Sequence, residues 1–157
     1  MRYYLFSNLK RPKNKTSNYI YKVAKGADKR SEFGRRTRHL MKLPKTTLIK
    51  KLKAINYDVL LAEIKGKIIG HTAFQRHGNS LHVFSVYVSE KYRGRGYALK
   101  IIENFIQKAK SVKNINWVKI RAVKHEAIKE IIQNLKLKEK ELGIKIVDER
   151  EGWIKIK

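Results

Sequence analysis

The chain has no cysteine, few acidic residues and no long apolar run. Without thiols it has no disulfide framework, cysteine nucleophile or cysteine-based metal site, as expected of a protein in the reducing cytoplasm. No apolar run approaches the roughly 20 residues that a membrane-spanning helix needs, so no membrane partner is expected. The histidines lack the tight spacing of a metal site, so we expect no bound metal.

Basic residues far outnumber acidic ones, with 38 Lys and Arg against 13 Asp and Glu, which gives a net charge of +25. The imbalance is strongest in residues 1–56, which hold 17 basic and 2 acidic residues. Such a field attracts polyanions and repels polyamines and basic peptides. Two explanations stay open: an RNA or other polyanionic partner, or a source whose proteins are generally rich in Lys, Ile and Asn.

Within this basic region an arginine-rich stretch runs from Asp28 to Leu43 and stops before Pro44. Its arginines either bind phosphates or form the solvated face of a helix. The cluster comprises Arg30, Arg35, Arg36 and Arg38.

A glycine-rich loop separates an apolar strand from an amphipathic helix. The strand is predicted over 82–88, and apolar residues at spacings of three and four from Leu99 onward predict the helix. Gly94 and Gly96 leave the backbone amides between them unshielded. The first helical amides have no internal partner and carry about half a positive charge. The loop is therefore predicted to bind a phosphate-sized anion.

The remaining elements predict an α/β (α+β) fold in a single domain, 1–157. We expect a mixed, mostly antiparallel sheet of about six or seven strands flanked by helices. The strand after the long helix should lie parallel to strand 82–88 through a right-handed crossover. Predicted strands are 2–6, 57–64, 68–74, 82–88, 115–123, 142–147 and 153–156, and predicted helices are 19–26, 46–55, 99–109 and 125–137.

Two motifs and this order of elements resemble the GCN5-related N-acetyltransferase superfamily. Arg93-x-x-Gly96-x-Ala98 resembles the family's acyl-CoA pyrophosphate loop, and Lys67-Ile68-Ile69-Gly70 resembles the start of its third strand. A dinucleotide-binding loop needs a third glycine, and a P-loop needs Gly-Lys-Ser/Thr; both are missing. The resemblance implies the acyl-CoA N-acyltransferase fold, with acetyl-CoA as the acyl donor.

The resemblance also implies where acetyl-CoA binds. The central strand would pair with pantetheine through its backbone, and an amide of Val86 or Tyr87 would stabilise the thioester oxygen. The loop amides would bind the pyrophosphate, with added charge from two arginines. The residues concerned are Val86, Tyr87, Val88, Arg93, Gly94, Arg95, Gly96, Tyr97 and Ala98.

The position of the general base is less clear. Histone-type members carry a glutamate eleven residues before the first motif residue, and here that position is His82. A histidine with a pKa near 6.5 suits a base at neutral pH. Alternatively, His82 is simply a polar residue near a strand end. Glu63, His71 and His77 are weaker candidates on neighbouring strands.

One departure from the family affects the reaction. The tyrosine that usually protonates the leaving thiolate is replaced by Ile132 in the last helix. Another group or water could serve, the donor could bind differently, or the protein could bind CoA without turnover. The leading hypothesis is an N-acetyltransferase acting on an amine carried by an anionic acceptor. The alternative is a catalytically impaired module that binds CoA, nucleic acid or both.

Overall fold

The protein is described here from a computed structural model. The residues it describes are 1–5, 43–44, 47, 50, 51, 54, 57–121 and 125–156. The arginine cluster and the predicted helix 19–26 lie outside them, and so do Ala122 and Val123 at the end of a predicted strand. Of the predicted helix 46–55, residues 47, 50, 51 and 54 are described, and they are helical.

Seven strands form one sheet in the order β1-β2-β3-β4-β5-β7-β6. Every neighbouring pair is antiparallel except β4 and β5, which run parallel. The predicted mixed, mostly antiparallel sheet is therefore confirmed. The strands are β1 Arg2–Leu5, β2 Tyr57–Ile64, β3 Lys67–His77, β4 Ser80–Val88, β5 Trp117–Ile120, β6 Lys145–Asp148 and β7 Trp153–Lys155.

The helices of the described C-terminal part follow β4. They are α1 Tyr97–Ser111, α2 Glu126–Leu137 and the short α3 Glu139–Leu142. Helix α1 buries the stripe that its spacing predicts, from Ile101 to Ala109. This stripe packs on one sheet face together with Ile131 and Leu135 of α2. Among the described residues, no helix has the length and apolarity to cross a bilayer.

The predicted strand 142–147 is wrong at its start. Leu142 is the last residue of α3 and is buried in the core. Gly143 ends the helix in the left-handed conformation, with φ 59°, and donates its N–H to Lys140 O. Strand β6 then begins at Lys145. The apolar run from Leu142 to Val147 hides this break, because one buried helical residue and a short strand give similar patterns.

Candidate active site

Among the described residues, strands β4 and β5 pair over four residues of each strand. Their register runs from Ser80 opposite Trp117 to Val83 opposite Ile120. Arg121 then donates its backbone N–H to Val83 O at 3.0 Å. Strand β4 continues to Val88, and no described residue of β5 pairs with it there. We call residues 85–88 the open segment. An extended ligand can pair along a strand edge of this kind, because edge groups pair with whatever strand is added.

A β-bulge lies in β4 where its described pairing with β5 ends. Ala73 of β3 is opposite Ser85, but the next residue, Phe74, is opposite Val83, so Phe84 is the extra residue on β4. A bulge bends its strand and increases the local twist, and bulges are frequent beside active sites. The bulge therefore changes the direction of β4 just before the open segment.

The bulge also determines which side chains share a face. Leu81, Val83 and Val86 contact the core beneath α1, so the intervening His82 points to the opposite face, which we call the second face. Tyr87 lies between Val86 and Val88, which both contact core clusters. It therefore also points to the second face, where it is 40% exposed.

The glycine loop joins the open segment to α1. Ser89 donates its N–H to Ile69 O at 2.8 Å, and a 3-10 turn follows over Glu90–Tyr92. Gly94 and Gly96 both have φ 71°, in the left-handed region, and Gly96 is the N-cap of α1. Among the described residues, no atom beyond the chain neighbours lies within 4 Å of a Cβ built on either glycine.

The amide donors of this loop are well placed for an anion. The first helical bond of α1 runs from the N–H of Lys100 to Gly96 O at 3.2 Å. The preceding amides lie at the positive end of the helix, where backbone donors lack intrahelical partners. Together with the open space at Gly94 and Gly96, they fit a phosphate group.

The two loop arginines differ in their surroundings. Arg93 donates Nε–H to Val88 O at 3.0 Å, and its guanidinium lies 5.7 Å from the centroid of the Tyr87 ring. It also lies 4.0 Å from a carboxylate oxygen of Glu90. Arg95 is exposed. The side chain of Arg93 thus links the loop to the end of β4, a positioning contact that the motif alone does not predict.

His82 lies on the second face, two residues before the bulge. Its Nε2 is 3.0 Å from the hydroxyl of Ser80, and its ring stacks on His77 with centroids 4.4 Å apart. Trp153 meets the His82 ring edge-on at 5.6 Å. The structure thus brings His82 and His77 together, close to where the open segment starts.

Glu63 and His71 occupy different positions. Glu63 lies on β2, which β3 separates from β4. Its partner on the neighbouring strand β1 is Arg2. His71 is buried on β3, with Nε2 3.4 Å from the Ser85 hydroxyl and its ring stacked on Tyr87 at 5.5 Å. Burial lowers the pKa of His71 to about 4, so the imidazole is neutral at pH 7. Sequence reasoning missed Ser85, whose only sign is a hydroxyl within an apolar strand.

Ile132 belongs to α2 and is 2% exposed. Its side chain supplies no acid, and no tyrosine replaces it on this helix, whose sequence is Glu126-Ala-Ile-Lys-Glu-Ile-Ile-Gln-Asn-Leu-Lys-Leu137. A group that protonates a leaving thiolate would therefore come from elsewhere.

Comparison with known families gives a match over most of the sequence. The model of the acetyltransferase (GNAT) family matches residues 28–129. The chain therefore belongs to the GNAT acetyltransferase family. A search of the curated proteins finds no match.

Solved structures agree on the fold. Tetrahymena GCN5 is 15% identical and has a TM-score of 0.54, with 99% of this chain and 94% of that chain covered. A chimeric spermidine N-acetyltransferase, built from SpeG of Vibrio cholerae and hSSAT, is 12% identical with a TM-score of 0.60, covering 99% and 93%. The yncA protein of Salmonella typhimurium, solved with its cofactor acetyl-CoA, is 16% identical with a TM-score of 0.58, covering 86% and 79%.

Proposed function

We propose that the protein transfers the acetyl group of acetyl-CoA directly to an amine of an anionic acceptor. The observation that carries the proposal is the open segment of β4 next to the glycine loop. A strand edge with which no described residue of β5 pairs suits the amides of pantetheine, and the loop suits a pyrophosphate. The proposed binding residues are Val86, Tyr87, Val88, Arg93, Gly94, Arg95, Gly96, Tyr97 and Ala98.

In this proposal His82 is the general base. The acceptor amine attacks the thioester carbonyl, loses a proton, and displaces the thiolate of CoA. His82 takes up the amine's proton directly or through one water, which is supported by its position on the second face just before the open segment. A positioned base of this kind contributes a factor of about 10² to 10⁴ in rate.

The developing charge on the thioester oxygen needs a hydrogen-bond donor. We assign this role to the backbone amide of Val86 or Tyr87, since both belong to the open segment. A preorganised backbone donor costs no reorganisation when charge develops.

The leaving thiolate would take its proton from water. A free thiol has a pKa near 8.5, so a thiolate is a tolerable leaving group without a dedicated acid. This proposal accounts for the apolar, buried Ile132 at the place where relatives usually carry tyrosine.

The preference for an anionic acceptor rests on charge. A net charge of +25 repels polyamines and basic tails. Amines carried by RNA, by an acidic polypeptide or by a protein bound to RNA would be attracted. The second candidate function, a module that binds CoA without turnover, is favoured by the apolar residue at Ile132.

Two measurements separate these functions. Calorimetry with acetyl-CoA tests cofactor binding, and a thiol-release assay with a panel of amines tests turnover. We expect binding together with thiol release that depends on an anionic amine. Binding without thiol release on any amine would favour the module, and the absence of binding would exclude both.

A further inference from the structure

Four aromatic rings and one lysine are grouped on the second face where β3, β4, β5 and β7 lie side by side. We call this group, His77, His82, Trp117, Lys119 and Trp153, the ring patch. The His77 and His82 rings stack at 4.4 Å. Trp153 meets His82 edge-on at 5.6 Å and Trp117 edge-on at 6.1 Å. The rings thus form one contiguous surface.

Polar contacts hold the patch in place. Lys119 lies with its Nζ 4.7 Å from the centroid of the Trp153 ring and 3.0 Å from a carboxylate oxygen of Glu151. The Ser80 hydroxyl contacts His82 Nε2 at 3.0 Å. A surface whose side chains are already fixed loses little conformational entropy when it binds a ligand.

The patch is accessible and has two lysines, Lys119 and Lys155, on its face. His77 is exposed, and both tryptophans are half-buried. Lys155, which is exposed, is the strand partner of Trp117 on the same face. Two acidic residues lie beside the patch. Glu151 pairs with Lys119, and Asp148, the strand partner of Trp153, accepts the Glu151 N–H at 2.9 Å.

We propose that the ring patch binds single-stranded nucleic acid by stacking unpaired bases on its rings. Rings interleaved with cations are what such ligands require, since bases stack on aromatic faces and phosphates pair with basic side chains. The net charge of +25 supplies the long-range attraction. An acidic peptide would use the charge but would have no use for the rings. The ring patch shares His82 with the proposed acetyl-transfer site, but binding to the patch requires no acetyl-CoA.

The chain carries its own reporter for this site. It contains two tryptophans, Trp117 and Trp153, and both belong to the ring patch. A base stacked on an indole quenches its fluorescence. Titration of the full chain with a short single-stranded oligouridylate should therefore quench tryptophan emission, with an affinity that falls steeply between low and physiological salt. A duplex of the same length should quench much less.

Substitutions that keep the net charge test the role of the rings. His77→Ala and Trp117→Leu should each weaken oligouridylate binding about fivefold or more, and Trp117→Phe should restore most of it. Gln107→Leu is the matched control, because it places a leucine at an exposed position of α1. It should bind like the parent chain. His77 is exposed, so its substitution should leave the fold intact.

The proposal is overturned by any of three results. The first is no binding at low salt. The second result concerns binding that is measured by the anisotropy of a labelled oligouridylate. It is binding that does not quench tryptophan emission and that His77→Ala and Trp117→Leu do not weaken. The third is equal quenching and competition by an oligoglutamate, which would indicate a general polyanion surface. None of these results bears on thiol release from acetyl-CoA, so the proposed activity is tested separately.

Discussion

Arg121 donates its backbone N–H to Val83 O at 3.0 Å, just beyond the last paired residues of β4 and β5. One residue later, Phe84 forms the bulge of β4. The end of the described strand pairing and the change in strand direction thus coincide. Beyond this point no described residue of β5 pairs with β4, which leads directly into the glycine loop.

Gly96→Asp should abolish measurable acetyl-CoA binding or weaken it at least about tenfold. The substitution puts a negative side chain into the open space at the N-cap of α1, where a phosphate is expected. Calorimetry measures the effect. Gly78→Asp is the matched control, since Gly78 also has a positive φ of 58° and a built Cβ with no atom of a described, non-neighbouring residue within 4 Å. It lies in the β3–β4 turn and should keep parental affinity. Parental acetyl-CoA affinity in the Gly96→Asp variant would show that the loop is not the phosphate site.

Gly70→Ala should lower the free energy of unfolding by about 1–3 kcal/mol. A Cβ at Gly70 would lie 2.5 Å from Tyr87 O and 2.8 Å from Ile101 Cδ1. The carbonyl is backbone and cannot rotate away, so β3 and β4 would have to separate. Urea unfolding measures the change. Gly94→Ala isolates the cost of positive φ, because its built Cβ contacts no described residue beyond its chain neighbours. Its effect on stability should be clearly smaller. An unchanged free energy of unfolding in Gly70→Ala would contradict the close approach of Gly70 to Tyr87 and Ile101.

His82→Gln should lower kcat about 10²-fold or more while acetyl-CoA affinity stays unchanged. Glu63→Gln should keep parental turnover because Glu63 lies two strands from β4. If Glu63→Gln is inactive and His82→Gln is active, the assignment of the base is wrong.

The buried His71 should make the free energy of unfolding depend on pH. Burial lowers its pKa to about 4, whereas an unfolded histidine titrates near 6.5. Between these values the unfolded chain binds more protons, so stability is complete above pH 6.5 and falls as the pH drops. The loss approaches about 3 kcal/mol near pH 4. His71→Gln cannot titrate, so its urea midpoint should fall less between pH 7 and pH 4.5. Parallel curves for both proteins would contradict a neutral, buried His71.

The sequence predicted most of the sheet and the loop, because both follow from local patterns. The α1 stripe and the two glycines each show in a few neighbouring residues. The bulge at Phe84 was not predicted, because it depends on how β3 and β4 pair and not on any local pattern. The surroundings of Arg93 were missed for the same reason, as its contacts with Val88 and Tyr87 require the folded turn. The assignment of the motif residues to cofactor binding is a prediction.

The parallel pairing of β4 and β5 has a consequence for folding. It connects two antiparallel groups of strands, β1–β4 and β5–β7–β6, through four residue pairs. Strands β2, β3 and β4 follow one another through tight turns, so this group can form from contacts close in sequence. The junction instead waits for the whole crossover through α1 to be in place, and contacts of long sequence separation form slowly. The region next to the candidate active site is therefore expected to be among the last parts of the sheet to assemble.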